Sequence, residues 1–208
     1  MAEDIAKLKL ENVRLSFPDI WEPKSVRGSD PKYAAHFFLD KEADAKQIEA
    51  VRAKIWAVAK AHWGDKAKAV CTGKKFEKCL HEGSEKEDLD GYTDDMMYLT
   101  ASSPRRPLVI DRDRSPLTKE DGRPYGGCFV NAIVRFWVQD NNFGQRVNAE
   151  LMGVQFYKDG EPFGGSVPAS PDDFENLEGE KGKKAKKGKT EAPESEPEGG
   201  PDEDEIPF

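Results

Sequence analysis

Side chains in residues 128–139 separate into two faces by simple alternation. Cys128, Val130, Ala132, Val134, Phe136 and Val138 are wholly apolar and belong against a core. Phe129, Asn131, Ile133, Arg135, Trp137 and Gln139 mix aromatic rings with a cation and two amides. Such rings stack on unpaired bases, at about 1–3 kcal/mol per base, and guanidinium groups neutralise phosphates. Phe129, Asn131, Arg135 and Trp137 are therefore candidate contacts to a single-stranded nucleic acid. A second apolar layer packed on a helix or another subunit has the same composition.

Other basic and aromatic groups extend this chemistry. Arg105, Arg106, Arg112, Arg114 and Arg123 crowd one loop that ends at Tyr125, and Lys74, Lys75 and Lys78 surround Phe76. From these, Arg105, Arg106, Arg112, Tyr125, Lys74 and Lys75 join the candidate interface. The arginine loop also holds Asp111, Asp113, Glu120 and Asp121, which offer internal ion-pair partners. The lysines equally suit an exposed basic loop.

Catalytic and metal chemistry have little to stand on. Cys71, Cys79, His81 and Cys128 lack the tight pair of a zinc site, and Cys128 sits on the core face of its strand. Trp21, Trp56 and Trp63 are assigned to packing, and His62 to a packed or capping role on a helix. No nucleophile elbow, phosphate loop or dinucleotide fingerprint occurs. Asp88, Asp90, Asp94 and Asp95 leave a metal-dependent nuclease as an alternative, although a solvated loop around Gly91 suits them better. The expectation is a protein that is no enzyme and needs no cofactor or metal.

The elements that must position these groups are mostly strands. Leu8 and Leu10 alternate with charge, then Val13, Leu15 and Phe17 do so with opposite parity, which predicts a bulge in a long first strand. Pro18 and Pro23 break the chain beyond it. Tyr33, Ala35, Phe37 and Leu39 make a second strand. Ile48, Val51, Ile55, Val58, Ala59 and His62 recur at helical spacing, predicting a helix over 43–63 with Asp40 as cap and Gly64 as stop. Residues 65–94 are polar and irregular. Strands come next at 96–102, 108–110, 129–139 and 147–157, the last two as a hairpin. The fold class is mainly β with one long helix: an OB-fold-like, partly open antiparallel barrel. The helix stands after the second strand, which is not its usual place in that fold.

Composition changes after about residue 170. The chain has 208 residues and a net charge of −8, from 32 basic and 40 acidic side chains. Residues 171–208 hold 13 acids and 6 lysines, leaving 27 acids and 26 bases in residues 1–170. The near-neutral part is read as one domain, residues 1–170, able to carry a basic face. Residues 171–208, nearly free of large apolar residues, are read as a disordered charged tail. Three cysteines fit a reducing cytoplasm. No leader is visible, and no apolar run reaches the ~18 residues of a membrane span.

The tail ends in Asp202-Glu203-Asp204-Glu205-Ile206-Pro207-Phe208, acid followed by an apolar tip bearing the terminal carboxylate. Charges steer such an end to a basic surface, where a pocket takes the ring. The ending resembles the tail tip of bacterial single-stranded DNA-binding protein, which closes on Asp-Asp-Asp-Ile-Pro-Phe. That resemblance implies docking onto replication and repair proteins through Asp204, Glu205, Ile206, Pro207 and Phe208.

Leu15-Ser16-Phe17 followed by Trp21-Glu22-Pro23, Tyr125-Gly126-Gly127-Cys128-Phe129-Val130-Asn131 and Leu151-Met152-Gly153-Val154-Gln155 carry a second resemblance. Over about residues 8–165 the chain resembles a family of tailed-phage single-stranded DNA-binding proteins. The resemblance implies an OB-fold core and sequence-independent binding of single strands in replication or recombination, within the host cytoplasm. The tail is then expected to compete with DNA for the groove. Strand annealing is an alternative activity, and assembly into a homo-oligomer is left open.

Overall fold

Alternation in the sequence becomes a closed ring of strands. The computed structural model describes residues 6–25, 28–142 and 144–164. In chain order the elements are β1 (Lys7–Lys24), β2 (Lys32–Asp40), α1 (Ala45–Trp63), α2 (Ala67–Cys71), β3 (Phe76–Lys78), β4 (Leu80–Glu82), β5 (Met96–Ser103), β6 (Leu108–Ile110), β7 (Phe129–Asn141) and β8 (Gly144–Lys158). The expected tail, its tip at Asp204–Phe208 and the domain boundary near residue 170 lie outside the described residues.

Five long strands form the ring. β7, β1, β2 and β5 are successive antiparallel neighbours, and β7 pairs with β8 in a long hairpin. One parallel bridge, Ala101 to Ala149, joins β5 to β8 and closes the barrel. This is a mainly β, OB-like barrel with one long helix, which follows β2 as the sequence requires. The irregular stretch 65–94 contributes more than expected: α2 and the short strands β3 and β4 arise there.

The inward residues are those the alternation selected. Leu10, Val13, Leu15, Ala35, Phe37, Leu39, Val130, Ala132, Val134 and Phe136 are buried. The parity flip in β1 is a register shift between Leu10 and Val13, where Asn12 adopts φ 51°. Its backbone N–H is met by Asn131 Oδ1 at 3.0 Å. Pro18 and Pro23 do not end β1. Register shifts already break its ladder to β2 between Ser16 and Asp19 and between Asp19 and Lys24, and there a missing N–H costs little.

Helix α1 packs onto the barrel core through Ile48, Val51, Ile55 and Ala59. Asp40 does not cap it directly; its Oδ1 accepts from Glu42 and Ala43 N–H at 2.9 and 2.7 Å, shaping the turn before the helix. Gly64 stops it at φ 55°. Trp63 packs on the core and donates to Asp140 at 2.7 Å. Trp56 departs from the packing role: one residue past Ile55 turns it off the buried stripe, and it is 44% exposed. His62 lies past the last buried turn and is exposed near Asp140, at 3.8 Å.

A strap, residues 159–164, then crosses one end of the barrel. Arg14 donates to Gly127 O and Glu161 O and lies 4.2 Å over the Phe163 ring. Gly127 has φ 109°, and a Cβ there would meet Glu161 O at 2.1 Å, so only glycine admits the strap.

Phe37 is fully buried at the barrel centre. Phe37→Ala should lower unfolding free energy by about 3–5 kcal/mol in urea titrations. A change under about 1 kcal/mol would contradict this packing.

Candidate nucleic-acid interface

The barrel closes through a single bridge at one seam, and that seam makes the site. Beyond the Ala101–Ala149 bridge, β5 and β8 separate and the β3–β4 segment wedges between them. Cys79 N–H donates to Val147 O at 3.0 Å and Cys79 O accepts from Thr100 N–H at 2.9 Å, so the wedge satisfies both strands. Outside it lies an open hollow of about 420 Å³, lined by Phe76, Lys78, His81, Thr100, Ser102 and Asn148 among others. A second, of about 310 Å³, is lined by Lys32, Ser102, Pro104, Arg135, Trp137 and Glu150. Ser102 belongs to both, so the hollows form one groove.

Trp137 stands 45% exposed at one end. Beside it, Arg135 binds Glu150 through Nε at 2.9 Å and through Nη2. Arg105 Nη2 lies 3.8 Å from the same carboxylate. Two guanidinium groups thus share one acid, leaving positive charge. Lys32 and Lys78 add cations along the groove.

The other end carries aromatic groups that the sequence did not single out. His81 stacks on Tyr98, with centroids 5.0 Å apart and an interplanar angle of 17°. His36 lies 5.3 Å from Tyr98 and 5.4 Å from Phe17, and its Nδ1 is 2.6 Å from Tyr92 Oη. Lys86 Nζ stands 5.1–5.8 Å from the rings of Phe17, Tyr92 and Tyr98. Burial lowers the Lys86 pKa. Burial, then Lys86 and His81, push His36 down to about 3, so it is neutral near pH 7. Tyr98 is pushed up to about 12 by burial, then by Glu85 and Tyr92. The cluster is a ring surface with the Lys86 ammonium above it and the Glu85 carboxylate at its edge, 3.0 Å from His81 Nδ1.

Phe17 is the outermost ring, 49% exposed at φ 46°. By alternation it belonged inside with Val13 and Leu15. The register shift after Ser16 turns it out instead. Positive φ is rare and strained for a bulky residue. A strained backbone that presents a ring to solvent makes a stacking platform. Pro18, which cannot serve the ladder, was the sequence signal of this irregularity.

The remaining predicted residues fall elsewhere. Phe129 sits at the far end of β7 under Lys158, whose Nζ is 4.5 Å from its ring centroid. Asn131 is engaged by the β1 bulge and by Gln155. Tyr125 Oη lies 3.1 Å from Asp159 Oδ1 and 3.0 Å from Gly160 O, and its single proton, shared between these acceptors, anchors the strap. Arg106 lies 5.6 Å over Trp21, which packs on the core. Arg112 is exposed after β6, and Lys74 and Lys75 are exposed on the turn before Phe76. The groove therefore brings together Arg135, Trp137 and Arg105, but not Phe129, Asn131 or Tyr125.

Among the described residues, no three His, Cys, Asp or Glu side chains stand close enough to hold a metal ion. Burial pushes the Cys79 thiol up to about 12 and the Cys128 thiol up to about 11. Asp90 accepts from Gly164 N–H at 2.9 Å, so one acid of the nuclease alternative anchors the strap.

The family model described as "Enterobacter phage Enc34, ssDNA-binding protein" matches residues 6–185. The chain is 46% identical over 178 residues to "Putative protein p50" of Acyrthosiphon pisum secondary endosymbiont phage 1, covering 82% of this chain and 94% of that one. Among solved structures it is similar to the single-stranded DNA-binding protein from bacteriophage Enc34 in complex with ssDNA. There the identity is 28% and the TM-score 0.67, over 76% of this chain and 90% of that one. It shares a fold with gp2.5, a single-stranded DNA-binding protein encoded by bacteriophage T7, at 12% identity and TM-score 0.52, over 82% and 100% of the two chains.

His36 is held neutral in the folded chain, whereas the unfolded chain protonates it near its ordinary pKa of 6.5. The unfolded state therefore binds the extra proton between pH 6.5 and about 3, and stability falls as pH drops through that window. At pH 4.5 this amounts to about 2–3 kcal/mol. His36→Gln should flatten the dependence of urea midpoint on pH, and an unchanged slope would contradict the assignment.

Proposed function

This chain belongs to the Enc34 phage single-stranded DNA-binding protein family, and from that membership we propose that it binds single-stranded DNA without sequence preference. The observation that carries the reading is the groove of two joined hollows, with exposed rings at both ends and unbalanced cations along it. Trp137 at one end and Phe17 at the other stack on bases. Arg135, Arg105, Lys32 and Lys86 meet phosphates. Ring faces accept any base, which suits coating rather than readout.

The protein acts by occupancy, without catalysis, in phage DNA replication or recombination inside the host cytoplasm. Its acidic C-terminal residues compete with DNA for the groove and, through Asp204–Phe208, recruit replication or repair proteins. The charge count supports this division: the excess acid lies in residues 171–208, and the barrel is near neutral.

Trp137→Ala should weaken binding of a labelled oligothymidylate about 5- to 160-fold in fluorescence anisotropy, the loss of about 1–3 kcal/mol of stacking. Unchanged affinity in a folded variant would remove Trp137 from the path. Deleting residues 171–208 should tighten binding at low salt and change it little at high salt, where charge is screened. A truncated chain that binds no tighter at low salt would refute competition.

A further inference from the structure

The strap at residues 159–164 touches a loop that reaches the groove. Residues 83–95, between β4 and β5, carry Lys86 to the ring cluster and return through Tyr92. Lys41 holds both ends of this loop, through Glu82 at 2.8 Å and the Asp94 carbonyl at 2.7 Å. Residues 87–90 between those ends are exposed. The strap meets the loop just past them. Gly164 N–H donates to Asp90 Oδ2 at 2.9 Å. At Gly91, where φ is 83°, a Cβ would lie 2.3 Å from Cε1 of Phe163, so the ring rests directly on the backbone. Tyr92 follows at once and is buried, with its ring 4.6 Å from Phe38, which in turn lies 5.3 Å from Phe163.

The strap itself is fixed from the opposite side. Phe163 N–H donates to Gly126 O at 3.1 Å, and the Arg14 guanidinium grips both Glu161 O and the Phe163 ring. Gly160 passes so close to Gly127 that a Cβ would lie 2.3 Å from its carbonyl oxygen. Cδ2 of Phe163 faces Gly126, and the other edge, Cδ1 and Cε1, faces Gly91. One ring thus ties the turn at 125–127 to the middle of the 83–95 loop. Phe163 lines neither hollow of the groove, so it bears on DNA only through that loop.

We propose that Phe163 is a positioning residue for DNA binding: it latches the 83–95 loop so that Lys86 stands over Phe17 and Tyr98, where its ammonium meets a phosphate of the strand. The proposal rests on the reading of the groove as a DNA path. Without the latch, the exposed residues 87–90 leave the loop tied only at its ends, and ordering Lys86 again costs affinity each time a strand binds.

Amide hydrogen exchange without DNA and oligothymidylate binding, both on the full chain, test the latch together. Phe163→Ala should speed exchange at residues 86–95 and leave the β7–β8 hairpin protected. It should weaken binding several-fold and make log affinity against log salt shallower by about 0.7, one phosphate contact on a single strand. Lys86→Ala should have the same effect on binding, and the double variant should bind no more weakly than Lys86→Ala alone. Combined with Trp137→Ala, at the far end of the groove, the loss should add. Gly91→Ala, which displaces the ring from the loop side, should reproduce these effects and stands in should Phe163→Ala unfold. Unchanged loop exchange, undiminished affinity, or a loss that adds to that of Lys86→Ala would overturn the proposal. Faster loop exchange in a protein whose unaltered form binds no oligothymidylate would refute the DNA reading, and the role in binding with it, while leaving the latch itself in place.

Discussion

The seam between β5 and β8, closed by a single bridge, is the constraint on which the rest depends. A barrel strand cannot leave its backbone N–H and C=O groups dry and unpaired. Here a single bridge, Ala101 to Ala149, holds the two strands, and Cys79 supplies one donor and one acceptor where they part. Full pairing of β5 with β8 along the seam would leave no room for the wedge and remove the hollows. No wedge would expose two strand edges, which invite association with other chains. The wedge keeps the seam satisfied while turning Phe76, Lys78 and His81 toward the groove.

Strain at β1 serves the same surface. The bulges at Asn12 and Phe17 change which face each residue occupies. At Asn12 the result is structural, since Asn131 closes the gap. At Phe17 no side-chain amide compensates, and the ring stands exposed against His36 and Tyr92. The neutral His36 and the hydroxyl network through Tyr92 and Ser16 brace that ring from below.

Strand periodicity made the barrel interior legible, because a core face is apolar at every second residue whatever its partner. Residues 128–138 show this most plainly, and Trp137 and Arg135 were found through the same alternation. What alternation does not carry is the state of each outward residue. Asn131 and Arg135 occupy the same face of β7, yet one completes a bulge and the other lines the groove. Phe17 was assigned inward because it continues the Val13 and Leu15 alternation, and the one extra residue that β1 carries between Ser16 and Asp19 changes the parity only there. Tyr92 and Lys86 lie in a polar stretch with no periodicity, so only the fold brings them to Tyr98 and His36.

The central claim is that one strand of DNA runs along the groove from Phe17 to Trp137. The most direct measurement is photocrosslinking of oligothymidylates carrying single 5-iododeoxyuridines, with the adducts mapped by mass spectrometry. The account predicts adducts at Phe17, Tyr98 or His81 from one end of the oligonucleotide and at Trp137 from the other. Adducts confined to Phe129 or Lys158 would contradict it.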